Sequence, residues 1–218
     1  MIFQEKDRVA IQQRLAAMTA PVKLIYFTQE LECPTCRDTQ ELLRALTDLS
    51  DKLSLEVYNF VTDKETAEKY GIDKIPATVV APADGDTRAV RYFGIPSGYE
   101  FASLLDDILM VSSGDSGLTD ASKEAVRRID APIRLQVFVT PTCPYCPVAV
   151  RLAHQMAWEN PRIIGDMVEA IEFPHLAQRY SVMGVPRTVI NETDHIEGAL
   201  PEQQFVSRIV DAVLQETV

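Results

Sequence analysis

The chain has 218 residues, a net charge of −11, 46% hydrophobic and 24% charged residues. That length suits two modest domains of about 100 residues, each long enough to bury a core. No apolar run approaches the ~18 residues of a membrane-spanning helix, and the acidic balance would repel nucleic-acid phosphates, so membrane and nucleic acid are excluded as partners. Met1 to Ala10 place charges where a secretory signal needs an apolar stretch, so a cytoplasmic location is expected.

Taken in order, the first half predicts an amphipathic helix over 5–18, a strand over Lys23–Phe27 and then Cys33-Pro34-Thr35-Cys36. A helix follows with its apolar stripe on Leu42, Leu43, Leu46 and Leu49. Next come a strand over 54–61, a helix ending near Tyr70, and a strand from Ala77 led by Ile75-Pro76. Thr78–Ala81 and Ala89–Phe93 are close enough for a hairpin, whereas the first two strands are joined by a crossover helix and should pair in parallel. A helix over 99–110 closes the half. Met110 to Asp120 then gathers Ser, Gly and Asp and loses periodicity, which sets the expected domains at 1–114 and 115–218.

The second half repeats the order. It predicts a helix over 122–129, a strand over 133–139, Cys143-Pro144-Tyr145-Cys146, and a helix from Val148 to Trp158 stopped by Asn160-Pro161. A strand over 167–171, a helix ending near Tyr180, a strand from Arg187 led by Val185-Pro186, and a helix over 202–214 complete it. Pro76 follows Cys33, and Pro186 follows Cys143, by the same 43 residues. At this offset of 110, Leu42, Ala67, Tyr70, Thr78 and Val79 meet Leu152, Ala177, Tyr180, Thr188 and Val189. Gly94 and Phe101 meet Gly198 and Phe205 at an offset of 104, which a shorter hairpin loop accounts for. The repeated βαβαββα order describes an α/β protein of two tandem thioredoxin-fold domains, each a central mixed four-stranded sheet flanked by helices.

All four cysteines lie in the two Cys-x-x-Cys motifs, for which there are three chemistries: zinc half-site, structural disulfide, or cycling dithiol. A disulfide closing a four-residue ring stabilises little by the loop-closure argument, about 2 kcal/mol. Zinc ribbons and fingers bring their half-sites within some 20 residues, whereas 106 residues separate Cys36 from Cys143. A cycling dithiol uses every sulfur. Cys33 and Cys143 stand at a helix N-terminus, where unpaired N–H groups and the helix dipole favour a thiolate and draw its pKa down from about 8.5. Cys36 and Cys146, one turn along the same face, then resolve the mixed disulfide.

Cys143-Pro-Tyr-Cys resembles the glutaredoxin motif, and Ile75-Pro76 and Val185-Pro186 resemble the cis-proline loops of the thioredoxin superfamily. With Arg91-Tyr-Phe-Gly-Ile-Pro-Ser-Gly and Gly165-Asp-Met-Val-Glu-Ala-Ile-Glu, the whole chain is similar to the two-domain protein disulfide oxidoreductases of thermophilic prokaryotes. That resemblance implies reduction, oxidation and isomerisation of protein disulfides at Cys33, Cys36, Cys143 and Cys146. It implies no tightly bound cofactor beyond the redox-active disulfides Cys33-Cys36 and Cys143-Cys146, and no metal. It further implies a monomer or weak homo-oligomer that acts on disulfide or dithiol clients and is recharged by a thioredoxin-reductase-like flavoprotein. Ile75, Pro76, Val185 and Pro186 would face the sulfurs and bind extended client peptide. Two other functions compete with this one: an electron relay from a flavoprotein to a peroxiredoxin, and a peptide-binding holdase.

Many relatives in the superfamily carry an acidic residue six positions before the first cysteine, where this chain has Phe27 and Val137. Glu169 is a candidate proton relay for Cys146, against the alternative of an exposed strand carboxylate, which the rarity of buried ionised Glu favours. Tyr145 is read equally as a client contact and as a group tuning the sulfurs. His154, three turns beyond Cys143, stands about 16 Å away along the helix axis, too far to act as that thiol's base. His175 and His195 are expected at the surface, and Trp158 is expected to pack.

Overall fold

The structure, a computed structural model, describes residues 2–85, 87 and 89–216. The first half contains α1 (Glu5–Leu15), β1 (Val22–Thr28), α2 (Cys36–Thr47), β2 (Leu53–Asn59), α3 (Lys64–Tyr70), β3 (Ala77–Pro82), β4 (Val90–Phe93) and α4 (Glu100–Ser113). The second contains α5 (Asp120–Arg127), β5 (Ile133–Val139), α6 (Cys146–Glu159), β6 (Ile163–Glu169), α7 (Pro174–Arg179), β7 (Arg187–Ile190), β8 (Asp194–Glu197) and α8 (Glu202–Glu216). The expected element order holds in both halves. Between them α4 continues to Ser113 and Gly114 ends it in the left-handed conformation at φ 74°, so the link to α5 is shorter than the Met110–Asp120 segment that composition marked.

Within each half β1 and β2, or β5 and β6, run parallel, while β3 and β7 run antiparallel to the first strand and to their hairpin partners. The two four-stranded sheets are not separate. β4 pairs with β6 in parallel, Val90 opposite Gly165 and Phe93 opposite Val168, which gives one eight-stranded sheet of order β2-β1-β3-β4-β6-β5-β7-β8. Strand alternation sends Leu24, Tyr26, Val90, Tyr92, Val137 and Met167 into a core with α1, α2, α4, α5, α6 and α8. Ile25, Phe27, Phe93, Phe138 and Val168 point to the other face, where α3 covers the first half and Leu176 of α7 packs on the second.

β6 starts at Ile163, four residues before the expected Met167. Gly165 and Asp166 disguised it, since both are poor strand formers. Each has a tertiary reason to be there. A Cβ on Gly165 would stand 2.8 Å from His154 Cδ2 and 2.9 Å from the Ala153 carbonyl oxygen, so only glycine lets α6 pack this closely. Asp166, wholly buried, accepts from Arg91 Nε and Nη2 at 2.7 and 3.0 Å and from Arg134 Nε at 2.7 Å. Arg91 also donates to the Tyr70 and Gly71 carbonyls at 3.1 and 2.7 Å, tying the end of α3 to the seam.

Burial pushes the Asp166 carboxyl up, but the Arg91 and Arg134 guanidiniums outweigh it and hold the group below the ordinary value. A depressed carboxyl contributes stability at neutral pH that is lost as pH falls through its folded-state pKa. Asp166→Asn should therefore cost about 3–5 kcal/mol at pH 7, since it leaves buried guanidiniums without a counter-charge. In urea titrations the gap from the parent should narrow as pH falls below the ordinary carboxylate range, where Asp166 takes up its proton; a gap that stays equal as the pH is lowered would contradict this role.

Candidate active sites

Both motifs lie where the first strand of a half gives way to a helix. Cys33–Cys36 and Cys143–Cys146 are disulfide-bonded, with Cα separations of 5.4 and 5.6 Å. The outer cysteine and the two residues after it form the turn into the helix, and the inner cysteine is its first residue. Pro34 and Pro144 thus precede the helix rather than occupying its first turn. The Cys36 N–H donates to the Cys33 carbonyl at 3.3 Å, and the Cys146 N–H points at Cys143 Sγ at 3.2 Å. A helix-start N–H aimed at the outer sulfur is what stabilises a thiolate once the disulfide opens.

Exposure separates the sulfurs. Cys36 and Cys146 are 2% and 0% exposed, Cys143 is 8% exposed, and Cys33 is half-buried. A reagent from solvent therefore meets the outer cysteine of each pair first. Ile75-Pro76 and Val185-Pro186 are both cis. The Val185 carbonyl oxygen stands 3.7 Å from Cys143 Sγ, which brings that loop onto the second pair. Each proline carbonyl accepts from the glycine ending the next hairpin strand, Gly94 at 2.9 Å and Gly198 at 2.8 Å. Tyr145 is 68% exposed beside the second pair. Under the first pair, the Tyr26 hydroxyl donates to the Cys36 carbonyl at 2.7 Å, and burial pushes its pKa up to about 12, so it remains a donor at neutral pH.

Phe27 and Val137 are fully buried and apolar. Glu169 is not the exposed carboxylate that its residue type favoured: it is 3% exposed, and burial pushes its carboxyl up. Strand β6 sits inside the sheet with both faces covered, which the sequence of the second half alone does not show. Its Oε2 accepts from the Glu172 N–H at 2.7 Å, while Oε1 is buried without a hydrogen-bond partner among the described residues. The Glu169 Cβ lies against Gly94 of the first half, where an added Cβ would stand 2.6 Å from it. His175 and His195 are exposed and Trp158 packs partly buried against the core, as expected. Among the described residues no group of three or more His, Cys, Asp or Glu could hold a metal ion.

Sequence reasoning missed a buried polar line on α4. Glu100, Ser103 and Asp107 recur at helical spacing on its core face, and that spacing among Leu104, Ile108 and Val111 was the available signal. Asp107 accepts from the Tyr92 hydroxyl and lies 2.6 Å from His154 Nδ1. Ser103 Oγ donates to Glu100 at 2.7 Å, and burial pushes Glu100 up to about 7. The N-terminus of α4 abuts the second motif's loop, where the Tyr99 N–H donates to the Pro141 carbonyl at 3.0 Å.

A carboxyl raised on folding penalises the folded state increasingly as pH rises from its unfolded value near 4.5 through about 7. Glu100→Gln should remove that penalty, on the order of 3 kcal/mol by linkage. Thermal unfolding should show the variant gaining on the parent between pH 4.5 and 8; a pH-independent difference would contradict the assignment.

Two strand-to-helix Cys-x-x-Cys turns on one sheet are the layout of a thioredoxin-type protein with two motifs. Residues 133–211 match the thioredoxin domain family. A protein disulfide oxidoreductase from Aeropyrum pernix is 34% identical, with a TM-score of 0.89 over 97% of this chain and 94% of that one. The alkylhydroperoxide reductase AhpF from Enterococcus faecalis superposes with a TM-score of 0.89 at 27% identity, over 96% of this chain and 100% of that chain. Its counterpart of the same name from Escherichia coli is 24% identical over 202 residues, 93% of this chain and 36% of that protein. The chain spans about a third of the length of the curated relatives it matches. It belongs to the protein disulfide oxidoreductase family.

Proposed function

We propose that the chain exchanges dithiols and disulfides with protein clients at two sites, one in each of the domains 1–114 and 115–218, with Cys33 and Cys143 attacking and Cys36 and Cys146 resolving. The observation that carries this reading is the repeated asymmetry of the pairs, an outer cysteine more exposed than the inner one, which is buried at a helix start. The Cys33 or Cys143 thiolate attacks one sulfur of a client disulfide. The client S–S bond breaks, and its other sulfur leaves as a thiolate and takes up a proton. The inner cysteine, deprotonated, then attacks the outer sulfur and expels the second client thiol. Two electrons have passed to the client, and the chain holds a new disulfide.

Ile75-Pro76 and Val185-Pro186 bind extended client backbone, and Tyr145 provides an exposed ring beside the second pair. A flavoprotein dithiol would return the electrons. A second reading, a relay from such a flavoprotein to a peroxiredoxin, is supported by the likeness of nearly the whole chain to the alkylhydroperoxide reductase AhpF. Among the described residues no helix is long and apolar enough to cross a membrane, and the cytoplasm is the proposed location.

Insulin reduction with dithiothreitol as donor tests the exchange reading. Each of Cys33→Ser and Cys143→Ser should leave one working site, and the double variant should fall to the uncatalysed rate. Cys36→Ser and Cys146→Ser should accumulate a mixed disulfide with insulin, seen on non-reducing gels. A double variant that still turned over would overturn the assignment of the attacking sulfurs. Fast turnover of a peroxiredoxin with insulin left untouched would favour the relay.

A further inference from the structure

The turn after the second strand is built alike in both halves. Asn59 Oδ1 accepts from the Thr62 N–H at 3.1 Å, and Glu169 Oε2 accepts from the Glu172 N–H at 2.7 Å. Their surroundings differ. β2 is an outer strand and Thr62 is exposed, whereas β6 lies against β4 and Glu172 is half-buried at the first half's site. Glu172 accepts from the Thr35 hydroxyl within the first motif, and its Oε1 accepts from the Ile95 N–H at 2.7 Å. Thr35 stands at the N-cap of α2, yet its hydroxyl makes no cap bond; it goes to Glu172 instead.

Gly94, beside Ile95, holds the Pro76 carbonyl, so Glu172 joins the cysteine motif to the proline loop. A Cβ on Gly94 would stand 2.6 Å from Glu169 Cβ and 2.8 Å from Glu172 Oε1. The matching Gly198 has nothing within 4 Å, and Tyr145, matching Thr35, is exposed. The second site therefore lacks this flank. Both Glu172 oxygens accept, the bonding pattern of a carboxylate ion.

We propose that Glu172, contributed by the second half, is a positioning residue of the first site, and that its charge disfavours the Cys33 thiolate and makes Cys33 a slower attacker at neutral pH. The inference rests on Cys33 being the attacking sulfur of the first site. The physical cause is like-charge repulsion: the half-buried Glu172 carboxylate is held by the hydroxyl of Thr35, two residues from Cys33 in the same turn. Among the described ionisable groups on the surrounding elements, Tyr26 on β1 is neutral, and Glu169 on β6 and the exposed Glu30, Glu32 and Asp38 are acidic. The cations are already engaged: Arg37 on α2 is exposed and paired with Glu41 at 3.0 Å, and Lys74, next to Ile75-Pro76, is paired with Asp73 at 2.6 Å.

The test is the pH profile of iodoacetamide alkylation of Cys33 in the reduced 218-residue chain carrying Cys143→Ser and Cys146→Ser, with and without Glu172→Gln. Glutamine keeps the shape: its Oε1 can accept from the Ile95 N–H and its Nε2 can donate to the Thr35 hydroxyl oxygen, so the contacts stay and the charge goes. The midpoint should fall by about 0.5–1 pH, and the rate at pH 7 should rise roughly three- to tenfold. Cys143, followed in a Cys33→Ser, Cys36→Ser background, should be unmoved by Glu172→Gln. A Cys33 midpoint that is unchanged, or that moves equally with that of Cys143, overturns the inference while leaving Cys33 as attacker. Failure of Cys33 to alkylate in either protein removes the assignment on which the inference rests. Should Glu172→Gln not fold, Glu172→Thr, the residue that the first half carries at the matching position, is read by the same outcomes.

Discussion

The parallel ladder between Val90–Phe93 and Gly165–Val168 joins two sheet edges that would otherwise stand open, and the geometry of both dithiol sites follows from it. An unpaired edge presents free backbone donors and acceptors, and pairing β4 with β6 satisfies them. The seam is fixed from the side chains as well. Arg91 and Arg134 grip Asp166 on one face, while Tyr92 and Asp107 meet His154 on the other. Once β6 sits against β4, the turn that follows β6 arrives at the first motif. Reciprocally, the backbone at Gly98–Tyr99 meets Pro141 beside the second motif, where a Cβ on Gly98 would clash with the Pro141 carbonyl. Each site is thus flanked by residues of the other half.

A tandem repeat joined in this way cannot keep its two copies equivalent. The first copy contributes its third and fourth strands to the middle of the sheet and leaves β2 outside; the second copy places its second strand in the middle and leaves β8 outside. Equivalent positions therefore meet different neighbours, which is why β6 is buried along most of its length and β2 is not. The two motifs differ little in sequence. Their settings differ more: a carboxylate and a tyrosine hydroxyl surround the first pair, and an exposed tyrosine and the Val185 carbonyl surround the second.

Much of this was legible from spacing. The common interval from cysteine to proline, the breaks at Asn160-Pro161 and around Gly114, and the period of each helix located the elements and both pairs, because local chemistry fixes these features. What depends on the seam was not legible. Gly165 and Asp166 read as a loop because their reasons, α6 and Arg91, lie elsewhere in the chain. Glu169 read more readily as exposed because its burial comes from the neighbouring strand of the other half. Glu172 closes the segment Gly165-Asp-Met-Val-Glu-Ala-Ile-Glu, but nothing there tied it to the first site, since its partners Thr35 and Ile95 are far away in sequence and neither is ionisable. Single-chain periodicity finds faces; it does not say which faces and edges meet.

The central claim is that both cysteine pairs are working redox couples. The direct measurement is a site-resolved redox titration of the intact chain in dithiothreitol buffers of graded ratio, quenched by alkylation and read by peptide mass. Two reversible two-electron transitions are expected, Cys33 with Cys36 and Cys143 with Cys146, each opening and closing as a unit at its own midpoint. A pair that stayed oxidised in full excess of dithiothreitol, or failed to re-form on return to oxidising buffer, would be structural and would contradict the claim at that site.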